Sequence, residues 1–190
     1  MENRKDKVID IILNKMYNID INNRKKAFQN SMKQERAGGI MTEKIISMPT
    51  GFNQSEWSRK TNCYMYAINY QKDNKPRDVG ELSGNLIKDY YTIDEIKERL
   101  FEDMKVLNIE IKKATYEEEC LENEWKISLF YREEDGDFHF LREDYHNRWS
   151  HKTKGRKPSN KDYSNATIID PRWANLMEYE FVEFYKLKCH

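Results

Sequence analysis

The sequence predicts an α+β domain, with helices first and an antiparallel β meander afterwards. Three observations carry that expectation. Apolar residues as far as Met104 recur at helical spacing, as in Ile96, Leu100 and Met104 after the cap-like Thr92-Ile93-Asp94-Glu95. In the second half the period changes to two, as in Leu107, Ile109 and Ile111 between polar neighbours. Turn signals then separate short β-prone runs, the clearest being Glu134-Asp135-Gly136.

Taken in order, residues 1–39 read as a helical N-terminal extension. Val8, Ile9, Ile12, Leu13 and Met16 fall on one face, and a second, more polar helix runs to Arg36. Ala37-Gly38-Gly39 is the linker, so residues 40–190 form the main domain. The extension reads as an appended helical hairpin, a pro-segment, or an arm that docks a partner or a second copy. Lys44 to Met48 is strand-like, and helical character resumes at Asn62 with Tyr66, Ala67 and Tyr70 on one stripe. A helix follows Thr92, a strand covers Leu107 to Ile111, and Tyr116 to Leu121 reads as a short helix. Trp125 to Arg132, Phe138 to Glu143 and Arg148 to Lys152 are the meander strands, with Asp144-Tyr145-His146 as the second turn. Ala166 to Ile169 is short and extended, and Met177 to Leu187 is a last strand that closes the sheet.

Composition narrows the function classes. The chain has 190 residues, 38% apolar and 13% aromatic, enough for one core despite a mean hydropathy of -1.00. Lys+Arg and Asp+Glu are 33 each, so no bulk charge favours nucleic acid or an anionic membrane. The N-terminus lacks a secretory apolar run, and no segment approaches the ~18 apolar residues of a membrane span. The 3 cysteines, Cys63, Cys120 and Cys189, have no metal-knuckle spacing. A cytoplasmic chain with reduced thiols and no cofactor is expected, and export would need a signal-less route.

Cys63 is the candidate nucleophile. It sits in Thr61-Asn62-Cys63-Tyr64-Met65-Tyr66-Ala67, where a polar loop enters a helix whose N-terminus favours a thiolate. Its alternative reading is a small buried hydrophobe. With Asp144, Tyr145 and His146 as the hairpin loop, His139 faces His151 directly, on one side of the sheet. A two-residue loop would shift the pairing by one and separate the rings. Two adjacent imidazoles suit a base, His139, and an orienting partner, His151. Asp137, Asp162 and Asp170 are substitute orienters. His146 in the turn and His190 at the terminus read as surface residues.

The order of Asn62-Cys63 at a helix start, His139 on a strand and His151 across a hairpin resembles NlpC/P60-type papain-like cysteine peptidases. The resemblance spans roughly Asn53 to Lys152. It implies a papain-like fold and a thiol hydrolase that cleaves an amide or ester through a thioacyl intermediate. The Cys63 N–H and a side chain from the preceding loop, Asn53 or Gln54, would form the oxyanion hole. The substrate would be a peptide, a peptidoglycan stem, an isopeptide conjugate or a lipid acyl group.

Two other readings stay open. One is a non-catalytic protein-binding module with Cys63 as a structural thiol. The other is zinc bound by Cys63, His139 and His151, with Asp162 or Asp170 as fourth ligand. The basic run Lys152 to Lys161 reads as a solvated loop, ahead of a phosphate or nucleic-acid contact.

Overall fold

A computed structural model describes Pro49, 51–52, 56–72, 75–145 and 148–190, the side chain of Tyr145 excepted. The expected N-terminal helices, the strand at Lys44 to Met48, and Asn53 and Gln54 lie outside the described residues. Lys44–His190 forms one compact unit.

Among the described residues the fold is α+β: two helices precede a five-stranded antiparallel sheet. Helix α1 spans only Cys63–Ala67. Asn62 caps it, its side chain accepting from Met65 N–H at 3.2 Å and donating to the Arg77 carbonyl at 2.8 Å. The expected continuation to Tyr70 fails at Asn69, whose φ of 57° turns the chain left-handed. Helix α2 spans Ile93–Val106 and starts with the expected cap, a full capping box between Thr92 and Glu95. Its buried stripe is Ile96, Leu100 and Met104, joined by the buried Asp103. The Asp103 carboxylate accepts from Tyr64 Oη, Gly80 N–H and Ser83 N–H, each at 2.7 Å, and so ties α1, the intervening loop and α2 together.

The strands are β1 (Ile109–Ala114), β2 (Glu124–Arg132), β3 (Asp137–Tyr145), β4 (Arg148–His151) and β5 (Glu180–Cys189), in spatial order β1-β5-β2-β3-β4. The meander expectation therefore holds only for β2-β3-β4. The C-terminal strand does not close an edge; it lies between β1 and β2. Its burial explains the position: Phe184, Tyr185, Lys186 and Leu187 are all buried, which needs cover on both faces. Lys186 tolerates this because Glu118 and Glu124 pair with its ammonium.

Tyr116 to Leu121 is not helical. Its backbone groups bond to sheet side chains instead of to each other. Lys126 Nζ donates to the Tyr116 carbonyl at 2.7 Å, Lys186 Nζ to that of Glu119 at 3.3 Å, and Leu121 N–H donates to Glu124 at 2.9 Å. The β2–β3 turn ends at Gly136 with φ 68°, where a Cβ would come within 2.7 Å of the Tyr91 nitrogen, so only glycine fits.

Alternation sorts the core into two clusters. Trp125, Ile127, Leu129, Tyr131, Phe138 and Phe140 pack against α1 and α2, with Cys63 among them. Phe130, Leu141, Trp149 and Phe184 form a second cluster on the other face, under Ile168 and Leu176.

Candidate active site

The two histidines meet, by a different register from the expected one. Leu141, not His139, pairs with His151, so the histidines are diagonal neighbours two positions apart. The connection after Tyr145, which pairs with Arg148, is two residues long and not three. Alone it would place the rings on opposite faces. A register shift between Glu143 and Tyr145 leaves Asp144 as an extra residue and restores the phase. The rings lie edge-to-face with centroids 5.0 Å apart, and His139 Nε2 is 2.8 Å from His151 Nδ1.

The remaining bond sets the tautomers. His151 Nε2 is 3.0 Å from the carbonyl of Lys161, which can only accept, so His151 carries its proton there. His151 Nδ1 then accepts from His139 Nε2–H, and His139 Nδ1 keeps the basic lone pair. Lys161 is brought to the ring because Ser159 pairs with His151 through two 2.8 Å backbone bonds. Both imidazoles are 5% exposed. Burial, with His151 beside it, pushes His139 down to about 3, and burial pushes His151 down as well, so both are neutral at physiological pH.

Cys63 is 8% exposed and reaches the same strand, its thiol lying 3.9 Å from the Phe138 carbonyl. Among the described residues no hydrogen bond joins it to His139. Phe138 and Phe140 face the helices with Cys63, whereas the His139 ring packs towards His151 and Tyr179, 5.7 Å away. The expected thiolate is not the resting state. Burial pushes the Cys63 thiol up to about 12, against smaller lowering by the Phe140 and Tyr64 amides. A five-residue helix supplies too little dipole to outweigh that desolvation.

The three aspartates considered as orienters have other partners. Asp137 bonds Arg132 and Tyr179. Asp162 accepts from the N–H groups of Ser164, Ala166 and Asn175, and Asp170 caps a 3-10 turn and pairs with Arg172. Among the described residues no group of three His, Cys, Asp or Glu side chains is placed to hold a metal ion. His190 is exposed, and His146 lies outside the described residues.

Lys152 was missed by the sequence reading. It is wholly buried, and its ammonium donates to the carbonyl of Thr61 and, at 3.5 Å, to those of Arg59 and Thr153. Lys157 Nζ adds a bond to the Trp57 carbonyl at 2.5 Å, and Gly155 N–H one to Arg59 at 2.9 Å. The basic segment thus clamps the loop that delivers Cys63. Its signal was its position: Lys152 directly follows His151 at a strand end.

No family model matches the chain, and no curated protein or solved structure does. No helix among the described residues is long and apolar enough to cross a membrane.

Proposed function

We propose that the protein is a papain-like cysteine hydrolase of the peptidase or amidase type, with Cys63 as nucleophile, His139 as base and His151 as its orienting partner. The observation that supports this is the 2.8 Å His139–His151 bond, anchored on the Lys161 carbonyl and built on the strand whose backbone the Cys63 thiol touches. That chain of bonds fixes the tautomer that leaves His139 a lone pair to accept a proton.

At rest the thiol is neutral against the β3 backbone and the imidazoles are neutral against each other, so the proton transfer requires the His139 ring to turn towards Sγ. The gap between about 12 and about 3 puts complete proton transfer from Cys63 to His139 on the order of 10 kcal/mol uphill, before attraction between the new charges. The proton therefore leaves as the sulfur attacks. Sγ bonds to the carbonyl carbon of an amide or ester, His139 takes the thiol proton, and the carbonyl oxygen becomes an oxyanion. His139 then returns the proton to the departing amine or alcohol. Water attacks the thioacyl group with His139 again as base, which releases the acid and restores the thiol.

A non-catalytic binding module with a structural thiol is the second reading, favoured by the burial of Cys63 and its bond to a backbone carbonyl. Alkylation separates the two. Exposure alone ranks Cys120, which is half-buried, ahead of the buried Cys63 and Cys189. A hydrolase alkylates first at Cys63 with iodoacetamide at pH 7, read by peptide mass spectrometry, and loses that preference in His139→Ala. Labelling that begins at Cys120 and leaves Cys63 intact refutes the hydrolase.

A further inference from the structure

We propose that Asp144 is a positioning residue: it is the bulge that sets the phase of the histidine pair and locks that phase to the helix carrying Cys63. Tyr145 pairs with Arg148, but Glu143 pairs with Trp149, Arg142 with Ser150 and Leu141 with His151, so Asp144 has no opposite number. If the Tyr145–Arg148 pairing ran on without it, His151 would stand opposite Arg142. Arg142 faces the helices, its guanidinium 4.0 Å from the Tyr66 ring. His139 and His151 would then project from opposite faces of the sheet.

The carboxylate of the extra residue is held from three elements. Arg142 Nε and Nη2 donate to Asp144 Oδ1 at 3.0 and 2.8 Å. Tyr66 of α1 donates to the same oxygen at 3.4 Å, and Ser150 of β4 donates to Oδ2. The Tyr66 and Ser150 hydroxyls are 2.5 Å apart. Arg142 Nη1 reaches on to the Tyr66 carbonyl at 3.1 Å and to Asn69 Oδ1 at 3.0 Å, at the end of α1. These are the same three elements, α1, β3 and β4, that carry Cys63, His139 and His151. Asp144, Arg142, Tyr66 and Ser150 are all buried. A buried ion pair adds little net stability over apolar packing, and its best-attested use is to fix register. Here two registers of one hairpin compete, and the network exists only in the one with the bulge.

The catalytic consequence rests on the cysteine-hydrolase reading; the register consequence does not. The test compares the full chain with Asp144→Ala and with deletion of Asp144. Deletion joins Glu143 to Tyr145, so Tyr145–Arg148 and Glu143–Trp149 become consecutive pairs and the histidines keep their phase without a bulge. Imidazole ¹⁵N NMR reads the tautomers and the coupling across the His139 Nε2–His151 Nδ1 bond. The expected result is coupling in the full chain and in the deletion variant, and its loss in Asp144→Ala. An Asp144→Ala protein that keeps the coupling overturns the proposal, as does a deletion variant that unfolds or lacks it. If Asp144→Ala does not fold, the deletion variant decides alone. Iodoacetamide labelling of Cys63 supplies the second arm, with at least a tenfold slower rate expected in folded Asp144→Ala. If the coupling is lost while that rate is unchanged, the register inference stands and the hydrolase reading fails.

Discussion

His139 makes acid sensitivity a direct readout of the site. Burial, and His151 beside it, push its pKa down from 6.5 to about 3, so between those values the unfolded chain binds a proton that the folded protein refuses. Stability therefore rises with pH across that window and is complete only above 6.5. Integrating the linkage from pH 7 to pH 5 gives a loss of about 2 kcal/mol from His139 alone. Other groups titrate in the same range: His151 acts in the same sense, while Asp78 and Asp144, pushed up by burial, act in the opposite sense. A difference between two proteins removes them. His139→Gln keeps a side-chain N–H to donate to His151 Nδ1 and has nothing to titrate. Urea unfolding at pH 7, 6 and 5 should show the wild type losing about 2 kcal/mol more than His139→Gln over those two units. If the two proteins track within 0.5 kcal/mol, His139 is not a buried neutral imidazole, and the tautomer argument for its role as base fails with it.

Lys152 and Asp103 yield two further predictions. Burial lowers Lys152 from 10.5 to about 8, so the unfolded chain holds the lysine proton more tightly and stability rises with pH above 8. Relative to Lys152→Met, the wild type should gain about 1 kcal/mol between pH 8 and pH 9 in urea unfolding; a flat difference would show that the ammonium is solvated. Asp103→Ala strands two buried donors, Tyr64 Oη and Gly80 N–H, and the half-buried Ser83 N–H, and should cost about 3–5 kcal/mol in the same assay. A cost below 1 kcal/mol would mean that water or a rearranged loop replaces the carboxylate.

What could be read from the sequence was whatever depends on neighbours in the chain. The capping box of Thr92 and Glu95 and the glycine of the β2–β3 turn are local chemistry, and both stand where the sequence placed them. Strand order was not legible, because the alternation in Phe181 to Leu187 gives a face but not a neighbour; the position of β5 between β1 and β2 depends on burial from both sides. The candidate site shows the same division more sharply. Cys63, His139 and His151 were found by residue type and order, and the two histidines do meet, but through a register that the turn residues did not reveal. Two deviations cancel there. The loop is one residue shorter than expected, which alone would part the rings, and Asp144 bulges, which reunites them. A carboxylate in a β-strand reads locally as a weak strand former or a turn residue. Its actual place depends on Arg142, Ser150 and, 78 positions away, Tyr66. The thiol's state was misread for a related reason. Helix position predicts a lowered pKa, but burial among Tyr64, Phe138 and Phe140 decides it, and burial is a property of the packed fold. A chain can therefore display candidate nucleophile, base and orienter in order while the packing around them involves residues such as Asp144 and Lys152, which carry no motif.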